Sequence, residues 1–148
     1  MDEKFRQKLN PVRNLKFLNR VNRFCKENSI LLAILFGSEA RGTSHKESDV
    51  DIGVLFAKKV NPEDYLKLEG KLISFFSEIY PEKEISIVNL NISSPLLKQV
   101  AILEGKILYQ KSDLIRILFQ IQTLHEYEDY LYLSNIYNRF LELKLKFS

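Results

Sequence analysis

The stretch that decides the fold is "FGSEARGTSHKESDVDIGVLF", Phe36 to Phe56. Leading into it, the wholly apolar run "ILLAILF" (Ile30–Phe36) is stopped by Gly37. That run is short for a core helix and reads as a buried strand. "SEARG" has room only for a short helical turn, and "TSHKES" is loop-like. "DVDIGVLF" then reads as the next strand, with Asp49 and Asp51 on one face and Val50 and Ile52 on the other. Carboxylates on a largely buried strand cost free energy unless a positive charge offsets them. A metal ion is the compensation this arrangement fits.

Working outward, "NPEDYLKLEGKLISFFSEIY" opens with Asn61 as N-cap and Pro62 at the first helical position. Glu63 and Asp64 suit the positive end of the helix dipole. Tyr65, Leu68, Leu72, Phe75, Phe76 and Ile79 make its apolar stripe. "EISIVNL" (Glu84–Leu90) is a third strand. "SPLLKQVAILEG" is a helix with Ser94 as cap and Gly105 just past its end. "KILYQ" is a short strand expected at a sheet edge. From Ser112 a helical pattern runs nearly to the end, with a break expected near Leu133–Asn135. On the other side, "NPVRNLKFLNRVNRFCKENS" reads as a helix with Val12, Leu15, Leu18, Val21 and Phe24 or Cys25 at helical spacing. This order implies a small α/β sheet covered by helices. It forms one domain over residues 1–148, with a helical segment 1–28, a core 30–110 and a C-terminal helical segment 112–148.

Composition sets the bounds. With 148 residues, 45% hydrophobic and 28% charged, a single globular core is expected rather than disorder. The single cysteine, Cys25, leaves no internal disulfide; it sits on the first helix's apolar stripe and reads as a core residue. The opening "MDEKFRQKLN" is polar, and no apolar run approaches the roughly 20 residues that span a bilayer. A cytoplasmic protein with no membrane contact is expected. The net charge of +3 is too small to argue for nucleic-acid binding. The first 28 residues hold eight Lys/Arg against three Asp/Glu, which reads as a solvated helix face, the alternative being a phosphate-facing or acidic-partner surface.

Asp49 and Asp51 are spaced so that both carboxylates converge on one Mg²⁺, a hard cation that takes carboxylates plus phosphate oxygens and water. Gly37 lets backbone N–H groups approach a phosphate closely, and Ser38 adds a hydroxyl. One half of such a site holds a triphosphate and the other holds the metal that neutralises it. Gly37-Ser38, ten residues, then Asp49-Val50-Asp51 resembles the signature of the polymerase-β-type nucleotidyltransferases. The fuller "GSEARGTSHKESDVDIGVL" is similar to their minimal nucleotidyltransferase (MNT) branch. "EISIVNLNISSPLLKQVAILEGKILYQ" and "FQIQTLHEYEDYLYLSNIYNRFLEL" resemble the later strand, helix and C-terminal helix of MNT proteins, so the likeness runs from about Ile30 onward.

The resemblance implies a small mixed sheet flanked by helices. It implies Mg²⁺-dependent transfer of a nucleoside monophosphate, AMP from ATP, to an acceptor hydroxyl, with pyrophosphate leaving. It assigns Asp49 and Asp51 to metal binding and catalysis, and Gly37 and Ser38 to the nucleotide; Arg41, three residues after Ser38 on the short turn, reads as a further phosphate contact, the alternative being a surface salt bridge. It also implies a protein partner, a HEPN-domain ribonuclease toxin modified by this chain as antitoxin, in a hetero-oligomer. The chain departs from the family at one place. The third carboxylate usually lies on the later strand, where this sequence has Ser86, which is neither a good ligand nor a base. Glu84, two residues earlier on the same strand face, is the candidate replacement, although about 6–7 Å of strand separates the two positions. Asn89 points to the other face. Loss of the third acid should spare nucleotide binding more than transfer. The alternative is therefore an antitoxin that neutralises by binding alone, and a weaker one is a transferase acting on a small molecule or an RNA end. His45 and Lys46 read as solvated loop, Ser48 as structural and His125 as a surface histidine. Tyr127, Tyr130, Tyr132 and Tyr137 crowd the last helix and cannot all be buried on one side, which suits a protein interface.

Overall fold

The computed structural model describes residues 14–41 and 49–147. Val12, His45, Lys46 and Ser48 lie outside the described residues. The elements are α1 (Leu15–Glu27), β1 (Ile30–Phe36), α2 (Ser38–Arg41), β2 (Val50–Phe56), a 3-10 turn (Pro62–Asp64), α3 (Tyr65–Ile79), β3 (Ile85–Asn89), α4 (Pro95–Glu104), β4 (Lys106–Gln110) and α5 (Asp113–Phe147). The strands form one sheet in the order β3-β2-β1-β4. β1 pairs antiparallel with β2 and with β4, whereas β2 and β3 run parallel. Parallel neighbours need a crossover, and α3 supplies it. The result is the mixed sheet flanked by helices that the sequence implies, with β4 on an edge.

Side-chain alternation divides the core between the two faces of the sheet. On one face Phe17, Val21 and Cys25 of α1 and Leu72 and Phe76 of α3 pack on Ala33, Leu35, Val50, Ile52, Val54 and Phe56. On the other, Leu32, Ile34 and Phe36 meet Leu90, Ala101 of α4 and Phe119 of α5. β1 is apolar on both faces because it is covered on both. Phe24 stacks on Phe75 at 4.3 Å and Arg20 lies over Phe75, joining α1 to α3.

The caps follow the sequence. Asn14 accepts from the Lys16 N–H ahead of α1, Asn61 from the Glu63 N–H ahead of the 3-10 turn, and Ser94 from the Leu97 N–H ahead of α4. The far end of β2 is fixed by Asn91: its Oδ1 accepts from the Phe56 N–H at 2.8 Å and its Nδ2 donates to the Phe56 carbonyl at 3.0 Å. Asn89, buried on the face away from Ser86, turns the chain there by accepting from the Asn91 N–H.

Two local expectations change and a third gains its reason. Leu15 is 73% exposed, and Phe17 takes the inward position; the buried line of α1 is Phe17, Val21, Cys25, at i, i+4, i+8. Gly105 stands just past the end of α4, as expected, with an extended backbone. Glycine is required there by space, since a Cβ would collide with the Ala101 carbonyl and with Ile34. The last helix does not break at Leu133–Asn135 but runs unbroken for 35 residues. Ser134 and Asn135 are only mildly unfavourable in a helix, and neither proline nor glycine is present to end it.

Burial pushes the Cys25 thiol up to about 12, since the thiolate would lose its hydration. Near pH 8 the folded protein should leave a thiol reagent such as Ellman's unreacted, and the guanidinium-unfolded protein should release its one equivalent. Rapid reaction of the folded chain would contradict the buried placement.

Candidate active site

The end of the sheet where β1 stops and β2 begins gathers the polar residues of the opening stretch. Gly37 leaves β1 with φ +74°, a left-handed conformation that costs an L side chain roughly 1–2 kcal/mol. The position is closed to side chains for a second reason: a Cβ on Gly37 would collide with the Asp51 Oδ2 oxygen. The Asp51 carboxylate therefore rests against the backbone of the Gly37 turn. It is half-buried, opposite Phe36 in the β1–β2 register. Ser38 opens the one-turn α2, and Arg41 closes it; the Arg41 side chain lies outside what is described. Asp49 stands one residue ahead of β2 and is exposed. Alternation puts it on the Asp51 side of the strand.

The parallel β2–β3 register places Asp51 directly beside Ser86. The two side chains share a face, so the serine occupies the place next to the buried aspartate. Continuing the register back by one residue sets Glu84 alongside Asp49, and the Val50 N–H donates to the Glu84 carbonyl at 2.9 Å. The Glu84 side chain is exposed, and it does not join the two aspartates: among the described residues, no three His, Cys, Asp or Glu side chains gather as a metal site. Below Asp51 the same face is shut. Gly53 has no side chain, and Leu90 packs into that space.

This donor set fits a divalent hard cation. Two carboxylates at one strand end, one of them pressed against a glycine turn, present oxygen ligands beside free space for phosphate. A second concave feature lies elsewhere. It holds about 380 Å³ between the sheet and α5, lined by Leu55, Phe56, Asn91, Lys98, Phe119 and Thr123 among others. It lies at the opposite end of β2, five residues or roughly 17 Å from Asp51. Its charged pair is already satisfied, Lys98 Nζ lying 3.0 Å from Glu126 Oε2. The cleft carries no chemistry comparable to the aspartate pair.

A sequence model of the polymerase beta nucleotidyltransferase domain matches residues 19–114, which include Gly37, Ser38, Arg41, Asp49, Asp51, Glu84 and Ser86. The chain belongs to that family. It is 31% identical over 114 residues to the protein adenylyltransferase MntA of Shewanella oneidensis, covering 74% of this chain and 76% of that protein. A chain of a toxin–antitoxin complex crystallised with AMP-PNP superposes with a TM-score of 0.66 at 26% identity, over 84% of this chain and 98% of that one. The same fold recurs, at 23% identity and a TM-score of 0.61, in a complex of tri-AMPylated Shewanella oneidensis HEPN toxin with MNT antitoxin, over 84% of this chain and 95% of that one. The matched span contains the strand end that the geometry singles out.

Sequence reasoning placed Gly37, Ser38, Asp49 and Asp51 together, and the structure brings them to one strand end. It did not foresee Leu90 as the floor of the site. The signal was Gly53, the glycine inside a strand, which marks a close approach by another group.

Gly37→Ala should cost about 1–2 kcal/mol of stability from the backbone alone and push Asp51 out of place. Nucleotide affinity, measured with a fluorescent ATP analogue, should fall about tenfold or more, that is by at least 1.4 kcal/mol. An alanine variant with unchanged denaturation midpoint and unchanged affinity would remove Gly37 from the site.

Proposed function

We propose that this chain transfers AMP from ATP to a hydroxyl of a HEPN-domain ribonuclease toxin and so acts as its antitoxin, with Mg²⁺ as cofactor, in the cytoplasm. The observation that carries the reading is the Asp49–Asp51 pair with Asp51 seated against the left-handed Gly37 turn. The 31%-identical relative being a protein adenylyltransferase supports the choice of reaction.

Asp49 and Asp51 would hold Mg²⁺, which when bound neutralises the phosphates and polarises the α-phosphorus. Backbone N–H groups at Gly37 and Ser38, with the Ser38 hydroxyl and Arg41, would grip the triphosphate tail. The acceptor oxygen attacks the α-phosphorus in line. The bond from that phosphorus to the oxygen bridging the β-phosphate breaks, and pyrophosphate departs. The acceptor's proton must go to a base. Ser86 cannot take it, so the proton leaves to solvent or to Glu84 after that exposed side chain swings inward. The toxin would dock on the last helix. Tyr130 and Tyr137 continue the line of Phe119 and Thr123 beyond the body and present aromatic surface to a partner.

A second reading, neutralisation by contact alone, is favoured by one observation: Ser86 stands in register beside Asp51 where a carboxylate would complete the site. One experiment separates the two. The chain is incubated with its HEPN partner, Mg²⁺ and NTPs labelled on the α-phosphate. Label on the partner with wild type, lost in Asp49→Asn and reduced in Glu84→Gln, is the expected result. No label with wild type but label with Ser86→Asp would replace it with the binding-only antitoxin. Full labelling by Asp49→Asn would overturn both.

A further inference from the structure

The helix α5 is longer than the body it packs on. Its inward line, Phe119 and Thr123, is buried, but past Tyr127 every residue except the half-buried Ser134 and Leu141 is exposed up to Lys146. Twenty residues of helix, about 30 Å, therefore stand clear of the fold. This length is not polar. Along it, on the side away from the line of Phe119 and Thr123, Tyr132, Ile136, Phe140 and Leu143 follow one another at spacings of three or four. Tyr132 is 68% and Phe140 60% exposed. A solvent-facing apolar stripe of this length marks a protein contact.

The charges beside the stripe say which contact. Glu128 and Asp129 lie towards its start, Arg139, Glu142, Lys144 and Lys146, three bases against one acid, towards its end, and all are exposed. Among the described residues none of these six forms an ion pair within the chain. A stripe that is acidic at one end and basic at the other is complementary to itself when reversed. We propose that two copies of this chain associate through antiparallel pairing of their α5 helices. With the two-fold axis beside Ile136, Tyr132 of one copy meets Phe140 of the other, and Asp129 comes alongside Lys144. A parallel pairing would set acid on acid and base on base, so charge selects the antiparallel one. An overlap of this length, with aromatic and aliphatic side chains from both copies, buries on the order of the 1,000 Å² that a specific interface needs. The axis stands clear of the Asp51 end of the sheet, so both active sites stay open. The surface is also distinct from the Tyr130–Tyr137 side offered to the toxin.

The test is sedimentation equilibrium of the full chain, without any partner protein, from roughly 1 to 100 µM, a range that brackets micromolar association. The wild type should be a dimer. Ile136→Asp with Phe140→Asp should be a monomer with an unchanged far-ultraviolet circular dichroism spectrum. Two charge-reversed chains provide a check independent of packing. Glu128→Lys/Asp129→Lys and Arg139→Glu/Lys144→Glu should each dimerise about tenfold more weakly, and mixing them should restore the affinity. A wild type that is monomeric throughout, including one that assembles only after a HEPN protein is added, overturns the proposal. So does a dimer that survives Ile136→Asp/Phe140→Asp, or reversed chains that fail to complement. None of these readouts depends on nucleotide transfer.

Discussion

The contact between the Asp51 carboxylate and the backbone at Gly37 governs the rest of the site. It demands a residue with no side chain, in a left-handed conformation, at the point where β1 ends. It also demands that β1 and β2 pair antiparallel in the register that sets Phe36 opposite Asp51. Side chains alternate along a strand, so a slip by one residue would turn both aspartates into the core and Ile52 out of it. The apolar packing on the two faces therefore holds the carboxylates in place. The same residues that bury the sheet aim the site.

Much of this was written in the sequence. Short apolar runs bounded by glycine, the alternation around Asp49 and Asp51, and the caps at Asn61 and Ser94 each report a local rule, and the structure obeys them. The signature Gly37-Ser38 to Asp49-Val50-Asp51 made the family readable as well. What escaped were features set by neighbours distant in sequence. Nothing local says that Gly105 is needed for Ile34 rather than for a left-handed cap, or that Leu90 will fill the gap over Gly53. Phe17 and Leu15 are equally apolar. Only the direction from which α1 meets the sheet decides which one is buried. The unbroken α5 escaped for a different reason. Serine and asparagine weaken a helix by a fraction of a kilocalorie each, too little to end one already nucleated on a packed first half.

The molecule separates its tasks along the strands. The carboxylates stand at one end of β2, and α4 and α5 close the other end, where Asn91 ties down Phe56 and Lys98 pairs with Glu126. A surface offered by α5 can engage another protein without crowding the place where a nucleotide would lie. The separation also explains why the cleft beneath α5 carries no comparable chemistry: it is a packing gap under a helix that crosses a sheet.

The position of β3 has one more consequence. It is an edge strand, held by a single neighbour and reached by a crossover, whereas Gly37 and Asp51 belong to two strands paired with each other inside the sheet. Ser86 is half-buried on that edge. A side chain there can change charge without loosening the core that shapes the other two positions. Under the proposed function, gripping a nucleotide and turning it over would therefore rest on different strands with different tolerance to mutation. In such an architecture a lineage can lose the second ability, or recover it, one substitution at a time while the first persists.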